Sequence, residues 1–258
     1  MLWSIVLSVS GGAQAQTTVT VTGLCPGTVT VDVVGATPKR SVMLTTGDGP
    51  GTTELPGDAC AGTMLDIEGR VRSLGTLVAD GAGAVTDVRY VPAATCGANL
   101  QLVDVATCDV SNVETLTPGF VEDFEDGGLG LPWFTAGISD WYVTNHQSHS
   151  GAHSATSGDI TSWGSARNSF LRLTVDFSEP GSVSFWHRVA SDRFYGTMSF
   201  YIDGEWQDNW DGEVPWAQVT FPVTAGVHTL KWNMGGWYVR DWESAWIDDI
   251  VIEGGLPL

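Results

Sequence analysis

Apolar residues recur at every second position in short runs along this chain, and nowhere at the three-to-four spacing of a helix. In the first half, TTVTVTG and GTVTVDVVG alternate, and Thr and Val favour the pleated backbone. SVMLTTG, TMLDIEG, GTLVADGAG and NLQLVDVAT follow, separated by Gly, Pro and Asp turns. The second half predicts longer strands at 170–177, 182–189, 196–203, 217–223, 227–234 and 245–253. Glu179-Pro180-Gly181, Asp203-Gly204 and Ala225-Gly226 supply turns between them. Within FLRLTVDF, Leu171, Leu173, Val175 and Phe177 share one face, and Arg172, Thr174 and Asp176 share the other. The pattern predicts an all-β protein built of sandwiches.

Composition divides the chain. Of twelve tryptophans, eleven lie beyond residue 115, whereas the four cysteines lie before it. A Thr-Pro-Gly break at 117–119 marks a joint, so two domains are expected, 16–113 and 120–255, with a linker at 114–119. The apolar run Leu2–Val9 followed by Ala13-Gln14-Ala15 reads as a signal peptide over residues 1–15. No other run has the roughly 18 apolar residues of a membrane helix, so an exported protein with no membrane insertion is expected. Even cysteine usage fits that compartment and implies two disulfides. Cys25–Cys60 and Cys96–Cys108 are the expected pairs, because each joins residues near one another in sequence; two other connectivities remain open. Thirty acidic against eleven basic residues give a net charge of −19, which opposes nucleic-acid binding and favours cations, calcium above all.

Two resemblances sharpen the fold. CPGTVTVDVVGATP with LQLVDVATCDVSNV resembles a secreted Ig-like module of environmental bacteria, which implies a spacer. SGAHSATSGDI, GSVSFWHRVASDRFYGTMSFYIDG, VPWAQVTFPVTAGVHTLKWNM and AWIDDIVIEGG, in that order, resemble the jelly-roll modules of bacterial cleaved-adhesin and MAM-like families. Such a resemblance implies a concanavalin-like sandwich and leaves the ligand open.

WIDDIVIEGG places adjacent carboxylates, Asp248 and Asp249, inside an apolar strand. Burying one unpaired costs several kcal/mol. VEDFEDGG opens the same domain with Glu122, Asp123, Glu125 and Asp126, and neither segment holds a basic residue. In a jelly roll the first and last strands come together, and hard oxygen donors in one place suit calcium. The resemblance implies a structural calcium on Glu125 and Asp248, with Asp123 as a further ligand and backbone carbonyls near Ser150-Gly151 completing the shell. Strand alternation places Asp249 on the opposite face. The other reading is two aspartates facing solvent.

His146, His149 and His153 have a helical metal spacing but sit among Ser and Gly, so they read as a loop. Arg188, Asp192 and Arg193 read as a solvated loop. No G-x-S-x-G, H-E-x-x-H or P-loop motif occurs, and EDFED lacks the acid order of jelly-roll glycosidases, so no enzyme is expected. Trp186 and Trp232 fall inside strands and are assigned to the core. Trp206 and Trp210 in an acidic loop, with Trp237, Tyr238 and Trp242 in a second, are the ring-stacking candidates. The expected function is a secreted adhesin-like or lectin-like module that is stabilised by calcium and binds extracellular glycan. A surface or matrix protein making protein contacts only is the alternative, and a glycan hydrolase the third.

Overall fold

The computed structural model describes residues 16–57, 59–161, 167–193, 195–237, 239–240 and 243–258. The proposed signal peptide, Tyr238 and Trp242 lie outside them. Apart from one short 3-10 turn at Ala93–Thr95, every regular element among the described residues is a strand. The chain divides into two compact units at Leu116/Thr117, with Leu24–Pro26 joined to the second.

The first unit contains β1 (Thr18–Thr22), β2 (Gly27–Val34), β3 (Ser41–Gly47), β4 (Gly49–Glu54), β5 (Met64–Glu68), β6 (Arg72–Val78), β7 (Val85–Val91), β8 (Asn99–Asp104) and β9 (Val110–Thr115). Antiparallel sheets run β1-β2-β7 and β6-β3-β8-β9, with β4-β5 a separate pair. Val29, Val31 and Val33 of β2 and Val42 and Leu44 of β3 are buried at alternate positions, as sheets with one face against a core require. All four cysteines are disulfide-bonded as expected, but the expected pairing is overturned: Cys60 bonds Cys108. Nearness in sequence misled because strand pairing folds distant residues together. Cys60 packs beside Leu55, Leu65, Ile67 and Val103.

The second unit contains β10 (Gly119–Glu122), β11 (Phe134–Gly137), β12 (Tyr142–Thr144), β13 (Ser154–Thr156), β14 (Arg167–Ala190), β15 (Gly196–Ile202), β16 (Glu205–Asp211), β17 (Val214–Val223), β18 (Gly226–Gly236) and β19 (Ser244–Pro257). The run expected as two strands, 170–177 and 182–189, is the single 24-residue β14. Its register against β19 shifts between Phe177 and Ser182, where Glu179-Pro180-Gly181 lies. The first half pairs with β11 and β18 and the second with β17, while β19 pairs with the second half and, past the break, with Val175–Phe177. β14 therefore passes from one layer of a jelly roll to the other. Leu171, Leu173, Val175 and Phe177 from the first layer and Val183, Phe185 and Val189 from the second enter one core. Phe185 meets Trp232 edge-on at 5.4 Å and Phe200 at 5.0 Å, closing that core with ring contacts.

His187 sits in the same inward row, only 1% exposed, with its ring 4.0 Å from that of Trp210. Burial pushes its imidazole down to about 4, against the opposing pull of Asp208. An unfolded histidine titrates near 6.5. Between those values the unfolded chain binds the extra proton, so stability is whole above pH 6.5 and is lost as pH falls toward 4. Chemical denaturation from pH 7.5 to 4 should show wild type losing about 3 kcal/mol more than His187→Phe. Parallel pH profiles for the two proteins would contradict this assignment.

Candidate functional site

The paired aspartates resolve into a clamp on one loop. Trp186 of β14 pairs with Asp248, and the next paired residues, Ser184 and Val251, leave a bulge at Asp249-Ile250. Asp249 takes φ 44°, which returns its side chain to the side of Asp248 rather than the opposite face that simple alternation predicts. Asp248 is fully buried, and burial raises its carboxyl to about 6, offset by amide hydrogen bonds. Its Oδ2 accepts from the amides of His149 (2.7 Å) and Ser150 (3.3 Å), and its Oδ1 from the amide of Asp249 (2.8 Å). Asp249 accepts from the Ser150 hydroxyl at 2.8 Å and lies 2.6 Å from His149 Nδ1. From the other side, Glu125 Oε1 accepts from the amides of Ala152 (2.8 Å) and His153 (2.7 Å). Those two amides hold its carboxyl below the usual range.

Glu125 and Asp248 thus meet the same five-residue turn, 149–153, through its amides rather than through the carbonyls expected near Ser150-Gly151. Asp123 does not; it accepts from the Glu125 amide at 3.1 Å within its own turn. Among the described residues no three His, Cys, Asp or Glu side chains gather for a metal. Glu122, the first acid of this stretch, is buried: it accepts from the Phe124 amide and the Trp133 indole, and burial raises its carboxyl.

His149 stacks on Trp186 with centroids 3.5 Å apart and meets Trp216 edge-on at 6.1 Å. Trp186 is therefore not core as assigned; it lies on the outer face of β14, half-covered by the loop that the aspartates hold. Arg188, expected in a loop, is on the same strand with its guanidinium 5.9 Å from the Trp246 ring. Trp232 is core, as assigned.

The opposite layer presents a different surface. The outward residues of β11, β14, β18, β15 and β16 fall in register, because antiparallel pairing places directly opposite side chains on one face. Phe134 pairs with Arg172, Arg172 with Lys231, Lys231 with Tyr201, and Tyr201 with Trp206. These five side chains form one row across five strands. At about 4.8 Å per strand the row spans roughly 19 Å. The next row, Ala136–Phe170–Asn233–Ser199–Asn209, is polar apart from Phe170 and Ala136. The Arg172 guanidinium lies 4.3 Å from the Phe134 ring, and Lys231 Nζ lies 4.2 Å from the Tyr201 ring. Phe134 is 48% exposed and Trp206 57%, so the ends of the row are open.

The tryptophan candidates separate accordingly. Trp206 and Trp210 lie on strand β16 rather than in a loop. Trp206 faces out and joins the row. Trp210 pairs with Met198, faces inward, and meets Phe185 edge-on at 6.1 Å, so it packs on the core instead of standing free. Trp237 is 63% exposed beyond the end of β18. Phe134, Arg172, Tyr201 and Lys231 were missed as site residues. The alternation in FLRLTVDF marked Arg172 as outward, but nothing local indicated that it would stand beside Lys231.

No protein-family model matches the chain, and no curated protein does. Among solved structures it is similar to the K3 cleaved adhesin domain of Lys-gingipain from Porphyromonas gingivalis W83, at 15% identity and TM-score 0.42, over 52% of this chain and 98% of that one. TmCBM61, solved in complex with β-1,4-galactotriose, is similar at 15% identity and TM-score 0.40, over 50% of this chain and 92% of that one. The CBM22-1 xylan-binding domain of Paenibacillus barcinonensis Xyn10C is similar at 16% and 0.37, over 52% and 92%.

Gly151 has φ 54°, and a Cβ there would overlap the Glu125 carboxylate. Gly151→Ala should therefore release Glu125 from the turn and cost about 1–3 kcal/mol of unfolding free energy. Glu125→Ala added to Gly151→Ala should cost less than Glu125→Ala alone. Additive costs in urea denaturation would show that the carboxylate and the turn act independently.

Proposed function

We propose that the second unit is a polysaccharide-binding module whose site is the row Phe134–Arg172–Lys231–Tyr201–Trp206. The observation that carries this reading is the row itself: three aromatic rings and two cations aligned over roughly 19 Å, about the length of three to four sugar rings. Ring faces stack on the C–H faces of sugars, and the neighbouring row offers Asn233, Ser199 and Asn209 to hydroxyls. No catalytic role is proposed, because no pair of carboxylates faces this row.

We also propose that calcium stabilises the turn at 149–153. Asp248, Asp249 and Glu125 bring carboxylate oxygens to it, the donors calcium prefers, beside the imidazoles of His149 and His153. Asp248 is a buried carboxylate without a cationic partner, and Glu125 Oε2 has only the 3.6 Å contact with His153 Nδ1. Bound calcium would take these two carboxylates, neighbouring carbonyls and water, and would supply the positive charge that the acidic cluster lacks.

Isothermal titration of a neutral and acidic polysaccharide panel should detect binding. Tyr201→Ala and Trp206→Ala should each weaken it about 5- to 10-fold, the loss of one stacking ring, while Tm stays within about 2 °C. Trp210→Ala should instead lower stability by about 3 kcal/mol. Unchanged affinity in both row variants would sink the assignment. Separately, chelator should lower the Tm of the second unit and calcium restore it, with Asp248→Asn insensitive to either. A Tm indifferent to chelator and to added calcium would remove the metal from the account.

A further inference from the structure

We infer that the ligand of this row is an anionic polysaccharide, one bearing carboxylate or sulfate groups; this rests on the polysaccharide reading above. Arg172 and Lys231 are direct cross-strand partners, and like charges directly opposite each other destabilise a sheet. Neither has an ion-pair partner among the described residues. The row and the Ala136–Asn209 row contain no Asp or Glu, and on the other side Asp203 is engaged by the Thr229 amide and His228, in a chain with thirty acidic residues and only eleven basic ones. Each cation rests over a ring, which fixes its position, but a cation–π contact at an exposed site adds only about 0.5–1 kcal/mol and leaves the charge unneutralised. An anion between them relieves the repulsion, and the planar guanidinium can take two oxygens of a carboxylate or sulfate at once. The flanking rings then hold the sugars on either side.

The net charge of −19 does not forbid this. At physiological ionic strength the Debye length is about 8 Å, so two cations at contact outweigh distant carboxylates.

The test compares matched polymers by titration at 0.15 M salt: polygalacturonate against its methyl-esterified form, and dextran sulfate against dextran. The wild type should bind at least one acidic member ten-fold or more tighter than its neutral partner, and which pair responds separates carboxylate from sulfate. Arg172→Gln with Lys231→Gln should bring the ratio of acidic to neutral affinity down to about one, with Tm unchanged or raised. Equal affinity within both pairs, or a preference that survives the double variant, overturns the inference and leaves the polysaccharide reading intact. Absence of binding to any polysaccharide, in protein with an intact thermal transition, overturns both. Preferential binding of a single-stranded oligonucleotide of dT would also overturn it.

Discussion

Everything in the second unit hangs on the two-residue period of one strand, Arg167–Ala190. Because it runs through both layers, its inward positions build the single core and its outward positions set both surfaces. Shifting its register by one residue would move Leu171, Leu173, Val175, Val183 and Phe185 to solvent and bury Arg172 and Arg188. Burying each of those aliphatic or aromatic side chains contributes about 1.5–3 kcal/mol, and burying an unpaired arginine costs several. The register is therefore strongly fixed, and with it the alignment of Phe134, Arg172, Lys231, Tyr201 and Trp206.

The two outer faces then diverge for a physical reason. On the second half of the strand, Trp186 is covered by His149, because Asp248, Asp249 and Glu125 pull the turn 149–153 onto it. That face is closed by the protein's own chain. On the first half no acidic cluster draws a loop inward, and the ends of the row stay accessible. The clamp and the open row answer the same question differently: what covers the outward aromatics of a sandwich. One set has an internal partner, and the other is left for an external one.

Much of this was legible in the sequence. Alternation in FLRLTVDF and SVSFWHRV identified the strands and the core face, and the adjacent aspartates marked a site that the fold had to satisfy. That the acidic cluster at 122–126 would come near them was expected from joining the first and last strands, and the Ser150 region from the family resemblance. What failed was information that one sequence window does not hold. Trp210 is flanked by Asn209 and Asp211, and so looked like a loop residue. It is an inward position of an edge strand whose other face carries Trp206 and Asn209. Asp249 reverses direction only because a bulge breaks the alternation. The cysteines pair across 48 residues because sheet topology, not proximity in sequence, sets which strands meet. Arg172 and Lys231 lie 59 positions apart in the sequence (231 − 172), and only the pairing of β14 with β18 makes them neighbours.

The central claim is that the open row is the binding surface. The most direct measurement is a backbone amide NMR titration with an oligosaccharide of a polymer the protein binds. The account predicts shift changes concentrated at Phe134, Arg172, Tyr201, Trp206 and Lys231 and their strand neighbours, with Trp186, Trp216 and Trp246 unmoved. Shifts centred on Trp186, Trp216 and the turn 149–153, with the row silent, would contradict it.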